Sequence, residues 1–187
     1  GYGVSVTPLQ AAAAMQALTN GGRFIPLTLR KGGRRDYQPR QVISPETSHA
    51  LLDLMRRNVV MGSGTRADAA GLRVGGKTGS ANKSVNGRYS TAHALGTFAA
   101  VFPTDGRLTD TRYQVLILVD EPQSYPRTGG FVAAPAVGRV IERIAPFLGV
   151  ERRADRWRTA LGEPTPEALA ALPYLEVVCK ECLRLYP

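Results

Sequence analysis

Apolar residues recur along this chain first with a helical period, then as short strand-length runs, and then with a helical period again. Thr7-Pro8 followed by Leu9, Ala13 and Ala17 at spacing four predicts a helix. Threonine is a good N-cap, proline suits the first helical position, and Gly21-Gly22 after Asn20 supplies a stop. The same logic starts a second helix at Ser44-Pro45-Glu46, with Leu51, Leu52, Met55 and Val59 on one stripe and Gly62 and Gly64 ending it. Strand signals follow. Leu72 to Ala81 reads as a strand, Asn86-Gly87 as a hairpin turn, and His93 to Phe102 and Arg112 to Val119 as adjacent antiparallel strands joined by a turn containing Asp105-Gly106. Ala134-Pro135 opens a closing helix, in which Val137, Val140, Ile141, Ile144 and Leu148 form a core-facing stripe. This order predicts an α+β fold, an antiparallel sheet flanked by helices.

Composition narrows the class. With 187 residues, 43% of them hydrophobic, the chain can bury a real core, and 21% charged residues exclude a disordered polyelectrolyte. Apolar runs such as Val115–Val119 are strand length, well short of the roughly 18 to 20 residues that a membrane helix needs. Any membrane anchor is expected outside these residues. The chain opens Gly1-Tyr2-Gly3 and closes Leu185-Tyr186-Pro187, and both ends read as cuts through a longer protein.

The formal net charge is +9, so a basic, non-catalytic binding module is one reading. The excess is local: Arg23, Arg30, Lys31, Arg34, Arg35 and Arg40 stand against Asp36. From Arg30 to Arg40 that stretch holds Tyr37 as its only aromatic, and it carries no nucleic-acid-binding fold motif, so a solvated loop is expected and no nucleic-acid partner. Cys179 and Cys182 are three apart on a helical pattern without a second pair or a nearby histidine, and are read as incidental helix cysteines rather than a redox or zinc motif. No metal site is expected.

The candidate chemistry is Gly75-Gly76-Lys77-Thr78-Gly79-Ser80-Ala81. Lys77 offers a point charge with three donors, Thr78 a hydroxyl, and Gly79 a stretch of main chain with no Cβ against which a substrate could lie. The alternative is a turn with an exposed lysine. Ser80-Ala81-Asn82-Lys83 has Ser-x-x-Lys spacing, but it follows the triplet on the hairpin and is read as chance. His93, at a strand start, is read as packed or solvent-facing.

Four separated segments bear on the choice. Gly1-Tyr2-Gly3-Val4-Ser5-Val6-Thr7-Pro8-Leu9-Gln10 with Asn20-Gly21-Gly22 resembles the segment after the second active-site motif of class B penicillin-binding proteins. Gly76-Lys77-Thr78-Gly79-Ser80-Ala81 resembles their third motif. His93-Ala94-Leu95-Gly96-Thr97-Phe98, running to Phe102-Pro103, resembles the strand after it, and Gly129-Gly130-Phe131-Val132-Ala133-Ala134-Pro135 the glycine turn and final helix. The cell-division transpeptidase branch is the nearest match.

The resemblance covers roughly residues 1–150 and implies the C-terminal part of a D,D-transpeptidase domain that cross-links peptidoglycan stem peptides through a serine acyl-enzyme. β-Lactams would acylate that serine. Of the family's Ser-x-x-Lys, Ser-x-Asn and Lys-Thr-Gly motifs the last is the one identified here, so the nucleophile and its lysine base are expected upstream of Gly1. Lys77 would set the positive field, Thr78 would bind the substrate carboxylate with Gly79 beside it, and the Ser80 N–H would be one oxyanion donor. The substrate peptide would add as a strand along the edge. Family members often have threonine at Ser80, which keeps both the N–H and a hydroxyl. No cofactor is implied. Cell-division proteins are possible partners, and the whole protein would sit on the periplasmic face of a bacterial inner membrane.

From about Leu161 the text changes. Residues 151–164 read as a linker or junction, and 165–187 resemble the K helix of cytochrome P450, with a Glu-x-x-Arg pair at Glu181 and Arg184 on one helix face. The haem-ligand loop of that family is absent, so a haem monooxygenase is the alternative that rests on the tail alone.

Overall fold

A computed structural model describes residues 6–29 and 38–154, without the side chains of Thr91 and Ala92. The basic loop from Arg30 to Tyr37 and the tail carrying Cys179, Glu181, Cys182 and Arg184 lie outside the described residues. Helix α1 spans Pro8–Thr19, strands β1 and β2 are Arg23–Phe24 and Arg40–Gln41, and helix α2 spans Pro45–Met61. Strands β3 (Gly75–Val85), β4 (Arg88–Phe102) and β5 (Tyr113–Asp120) form one antiparallel sheet in the order β3-β4-β5. The one-turn helix α3 (Gly129–Val132) and helix α4 (Ala134–Ile144) close the fold.

The helix starts follow their local chemistry. Thr7 Oγ1 accepts from the Gln10 N–H at 3.2 Å while Gln10 Oε1 accepts from the Thr7 N–H at 2.8 Å, a reciprocal capping box. Ser44 caps α2 through the Thr47 N–H at 3.2 Å. Asn86 (φ 52°) and Gly87 (φ 76°) take the two positive φ values that a tight hairpin turn demands.

The strand boundaries move from those the sequence predicts. β3 begins at Gly75 rather than Leu72, because Leu72 and Val74 bury their side chains from an irregular segment in which Arg73 adopts φ 50°. β3 then runs on to Val85 and β4 starts back at Arg88, where the hairpin pairs Lys83 to Val85 with Arg88 to Ser90 after a register shift at Asn82/Lys83. Backbone pairing around the turn extends these polar ends without any apolar alternation. β5 is displaced by one residue, to Tyr113–Asp120.

Alternate residues of β4 face opposite layers. Phe98, Ala100 and Phe102 join Leu72, Val74, Ala133, Ala134, Val137 and Ile141 in the larger cluster. Val101, one pleat away, packs with Met15, Leu52 and Met55 from α1 and α2. Two members of the predicted stripes are exposed. Leu9 is 57% exposed in the first turn of α1, and Val140 is 37% exposed because Val137 and Ile141 already fill the inward face of α4.

Two arginines fasten the segment that delivers β3. Arg56, buried in α2, donates to Asp68 Oδ1 at 2.9 Å and to the Val74 carbonyl at 2.6 Å. Arg73 donates to Asp105 Oδ1 at 2.8 Å, to the Glu151 carbonyl at 2.8 Å, and to the Gly71 carbonyl. The Arg153 N–H donates to the Gly71 carbonyl at 2.9 Å, so the first residues of the predicted junction are bonded to this segment.

Truncating one partner of a buried ion pair leaves the other charge uncompensated, at a cost of about 3–5 kcal/mol. Asp68→Ala should therefore lower the melting temperature by roughly 10 °C for a domain of this size. A fall of only a degree or two in a thermal scan would show that water reaches Arg56.

Candidate active site

The geometry begins with β3 as an edge strand. It pairs with β4 on one side, and among the described residues no strand pairs with its other side. Its first residues, Gly75 and Gly76, are buried, and exposure rises through Lys77, Thr78 and Gly79 to Ser80 and Ala81. The Lys-Thr-Gly triplet is therefore at the point where a strand emerges from the core, and not in a turn.

Lys77 Nζ donates to the Thr78 carbonyl at 2.9 Å and lies 3.4 Å from Thr78 Oγ1. Thr78 Oγ1 is 2.9 Å from Ser63 Oγ. Ser63 Oγ donates to Asn58 Oδ1 at 3.2 Å, and Asn58 Nδ2 donates to the Gly76 carbonyl at 2.8 Å. A chain of polar groups thus runs from the ammonium through two hydroxyls into a buried amide on α2. Asn58 and Ser63 are absent from the sequence reading. A signal existed for the first: Asn58 sits beside Val59, at helical spacing from Met55, where an apolar residue is expected.

Ser80 is occupied through its side chain. Its Oγ accepts from the Gly129 N–H at 3.0 Å. Gly129 is the first residue of α3, and Thr128 before it makes no side-chain cap. One of the helix's orphan donors is therefore satisfied from a strand 49 residues earlier. The close packing explains the glycine: a Cβ at Gly129 would run into the carbonyl oxygens of Thr97 and Gly79. The space left by the missing Cβ of Gly79 is taken by Thr97 Oγ1 from the paired position on β4. Part of the reason for glycine there is thus internal packing, beside the room it leaves for a substrate.

The remaining candidates separate cleanly. Lys83 Nζ donates to Asp120 Oδ1 at 2.9 Å and Glu121 Oε1 at 2.9 Å, so it serves the end of the sheet and forms no dyad with Ser80. His93 Nδ1 is 3.1 Å from the same Glu121 oxygen and half exposed. Two concavities of about 350 and 240 Å³ lie elsewhere, one lined by Arg73, Asp105 and Tyr113 and the other by Gln16, Leu108 and Gln114. Neither lining includes Lys77, Thr78 or Ser80. The site on β3 is an open edge, suited to an extended ligand.

Comparison with known proteins identifies the family. Residues 1–142 match the family Transpeptidase, the penicillin binding protein transpeptidase domain. The chain belongs to that family. It is 52% identical over 167 residues to the probable peptidoglycan D,D-transpeptidase FtsI of Caulobacter vibrioides, covering 83% of this chain and 28% of that protein. It is 36% identical to the stage V sporulation protein D of Bacillus subtilis, covering 83% and 25%. Among solved structures it superposes on the transpeptidase domain of Burkholderia pseudomallei penicillin-binding protein 3 with a TM-score of 0.69 and 29% identity, covering 83% of this chain and 46% of that one. Penicillin-binding protein 3 of Mycobacterium tuberculosis in complex with ampicillin gives 0.66 and 26%, covering 83% and 38%. The chain thus spans about a quarter of the length of these curated relatives. The mixed helical and antiparallel architecture is that of the penicillin-binding transpeptidase domain. The match gives no support to the haem-monooxygenase alternative.

Two outcomes follow. Gly129→Ala must push backbone against backbone, and overpacking of this kind costs about 1–3 kcal/mol. A melting temperature unchanged from wild type would refute the close approach. The second concerns pH. Hydrogen bonds from Lys83 and then His93 hold the Glu121 carboxyl below its ordinary pKa, while the bonds to Glu121 and Asp120 raise that of Lys83. The Glu121 contribution is present above the ordinary glutamate pKa and lost as pH falls through the depressed one. The Lys83 contribution is present below the ordinary lysine value and lost as pH rises through the raised one. Lys83→Met should flatten the melting-temperature profile slightly at both extremes, the groups being exposed. An identical profile would show that the clamp holds nothing.

Proposed function

We propose that this chain is the C-terminal part of a longer peptidoglycan D,D-transpeptidase of the cell-division type, and that Lys77, Thr78, Gly79 and Ser80 are its contribution to the active site. The observation that carries the reading is the exposed edge of β3, on which an ammonium, a hydroxyl and a free run of backbone follow one another in a family member. The nucleophilic serine and its lysine base belong to the region before Gly1. Relatives of about four times the matched length leave room for them.

In this reading the stem peptide lies antiparallel along β3, and its terminal carboxylate meets the Thr78 hydroxyl under the field of Lys77. The serine oxygen attacks the peptide carbonyl carbon, the carbonyl oxygen takes up negative charge against the Ser80 N–H, and the C–N bond breaks as the leaving nitrogen gains a proton. A second stem peptide's amine then takes the acyl group. A penicillin meets the same contacts, but its leaving nitrogen stays tethered, so the acyl-enzyme persists. The whole protein would act at the periplasmic face of the membrane, anchored by a segment outside these residues. No helix among the described residues is long and apolar enough to cross a membrane. Cell-division proteins are candidate partners.

The test uses a fluorescent penicillin and a denaturing gel. The full-length protein should be labelled stoichiometrically, and the 187-residue chain alone should not be. Lys77→Ala in the full-length protein removes a charged hydrogen bond, of about 1.5–3 kcal/mol, so acylation should slow by about 10- to 100-fold. Its melting temperature should scarcely move, because the Lys77 contacts on the edge are local. Full-speed acylation by the folded variant would reduce the triplet to an ordinary strand.

A further inference from the structure

The polar chain behind Thr78 has a direction that the hydrogen count fixes. Asn58 is 4% exposed and its amide has one orientation, Nδ2 toward the Gly76 carbonyl, which leaves Oδ1 facing Ser63 as a pure acceptor. Ser63 has a single proton, and Asn58 takes it. Ser63 Oγ then accepts from Thr78, whose own lone pair faces Lys77 Nζ. With the Ser63 proton on Asn58, the Thr78 proton points to Ser63 rather than to the edge where a carboxylate would sit.

We propose that Ser63 is a positioning residue for the carboxylate-binding hydroxyl of Thr78, acting as a proton pivot held by Asn58. The proposal rests on the assignment of Thr78 to substrate carboxylate in the preceding subsection. When an anion arrives, Thr78 turns its proton outward to it. Ser63 then rotates its own proton from Asn58 to the lone pair Thr78 has exposed. The heavy atoms stay in place, because only O–H bonds rotate. The contact that yields is the longer one, 3.2 Å to Asn58, and the one that is kept is 2.9 Å to Thr78. A hydroxyl that donates while accepting a hydrogen bond is polarised by the bond it receives, so the Ser63 donor strengthens the grip of Thr78 on the anion.

The surrounding backbone is built to hold this pivot. Gly62 and Gly64 both send their N–H to the Asn58 carbonyl, at 3.0 and 3.2 Å, so the loop wraps the end of α2 and sets Ser63 over it. A Cβ at Gly62 would collide with Asn58 Oδ1 itself. On the far side, a Cβ at Gly130 would meet the Ser63 carbonyl and then Thr78 Cγ2, so the α3 turn lies beside the pair, while Ser63 itself is exposed. Ser63 thus has little freedom in its backbone, and its hydroxyl proton is the part that moves.

The test compares two penicillins on the full-length protein, one with its free carboxylate and one with that carboxylate masked as a methyl ester. Second-order acylation rates are measured for wild type, Ser63→Ala and Ser63→Thr, with melting temperatures to confirm folding. Ser63→Ala should cut the wild-type preference for the acid over the ester by about 3- to 10-fold, the scale of one hydrogen bond. The rate on the ester should stay near wild type, and Ser63→Thr should restore the preference, since it restores the hydroxyl. Acid and ester rates falling together in Ser63→Ala would mark a structural role only and overturn the proposal. An unchanged preference, or failure of Ser63→Thr to rescue it, would overturn it as well. A folded wild-type protein that reacts with neither penicillin would overturn the transpeptidase reading itself, and the pivot with it.

Discussion

The arrangement of the site depends on how closely the Gly129-Gly130 turn sits on the β3–β4 ladder. Carbonyl oxygens from Gly79 and Thr97 occupy the volume where a side chain of residue 129 would be. The bond from the Gly129 N–H to Ser80 Oγ closes the same contact. Two consequences follow from this one constraint. The third motif cannot slide along its axis, because Ser80 is fastened to a helix N-terminus. And α4, which begins five residues after that bond, is placed against the face of the sheet that carries Phe98 and Phe102, with Val137 and Ile141 in the main core. Packing of the closing helix and placement of the site are thus the same event.

A second constraint feeds the first. β3 must leave the core at Gly75 in the correct register for Lys77 to emerge at the edge. The preceding segment has no regular structure to impose this, so buried arginines do it. Arg56 reads the Val74 carbonyl from α2, and the Arg73 carbonyl accepts both the N–H and the hydroxyl of Thr104. Charge is an expensive way to hold a backbone, but guanidinium groups span several acceptors at once, which suits an irregular segment.

Much of this was legible in the sequence because it is local. Thr7-Pro8 and Ser44-Pro45 write helix starts, Asn86-Gly87 writes a tight turn, and the apolar segment from His93 to Phe102 writes a strand. Lys77-Thr78-Gly79 was legible as chemistry, and four separated segments together pointed to the family. What escaped was long-range or contrary to pattern. Leu9 and Val140 obey helical spacing but face solvent, because periodicity says which residues share a face and not how wide the partner is. The polar ends of β3 and β4 carry no alternation, since pairing around the turn holds them. Asn58, Ser63 and Arg56 look like ordinary polar residues until the fold brings β3 against α2, and the bond between Ser80 and Gly129 crosses 49 positions that no local rule connects.

In the proposed site the β3 edge holds both the anion and the reacting carbonyl of one ligand. The most direct measurement is a crystal structure of the full-length protein's transpeptidase domain acylated by a penicillin. The ligand carboxylate should lie within hydrogen-bond distance of Thr78 Oγ1, the acyl carbonyl oxygen on the Ser80 N–H, and the Ser80 hydroxyl should still be bonded to Gly129. A carboxylate bound away from β3, or a Ser80 released from Gly129 to serve the ligand, would contradict it.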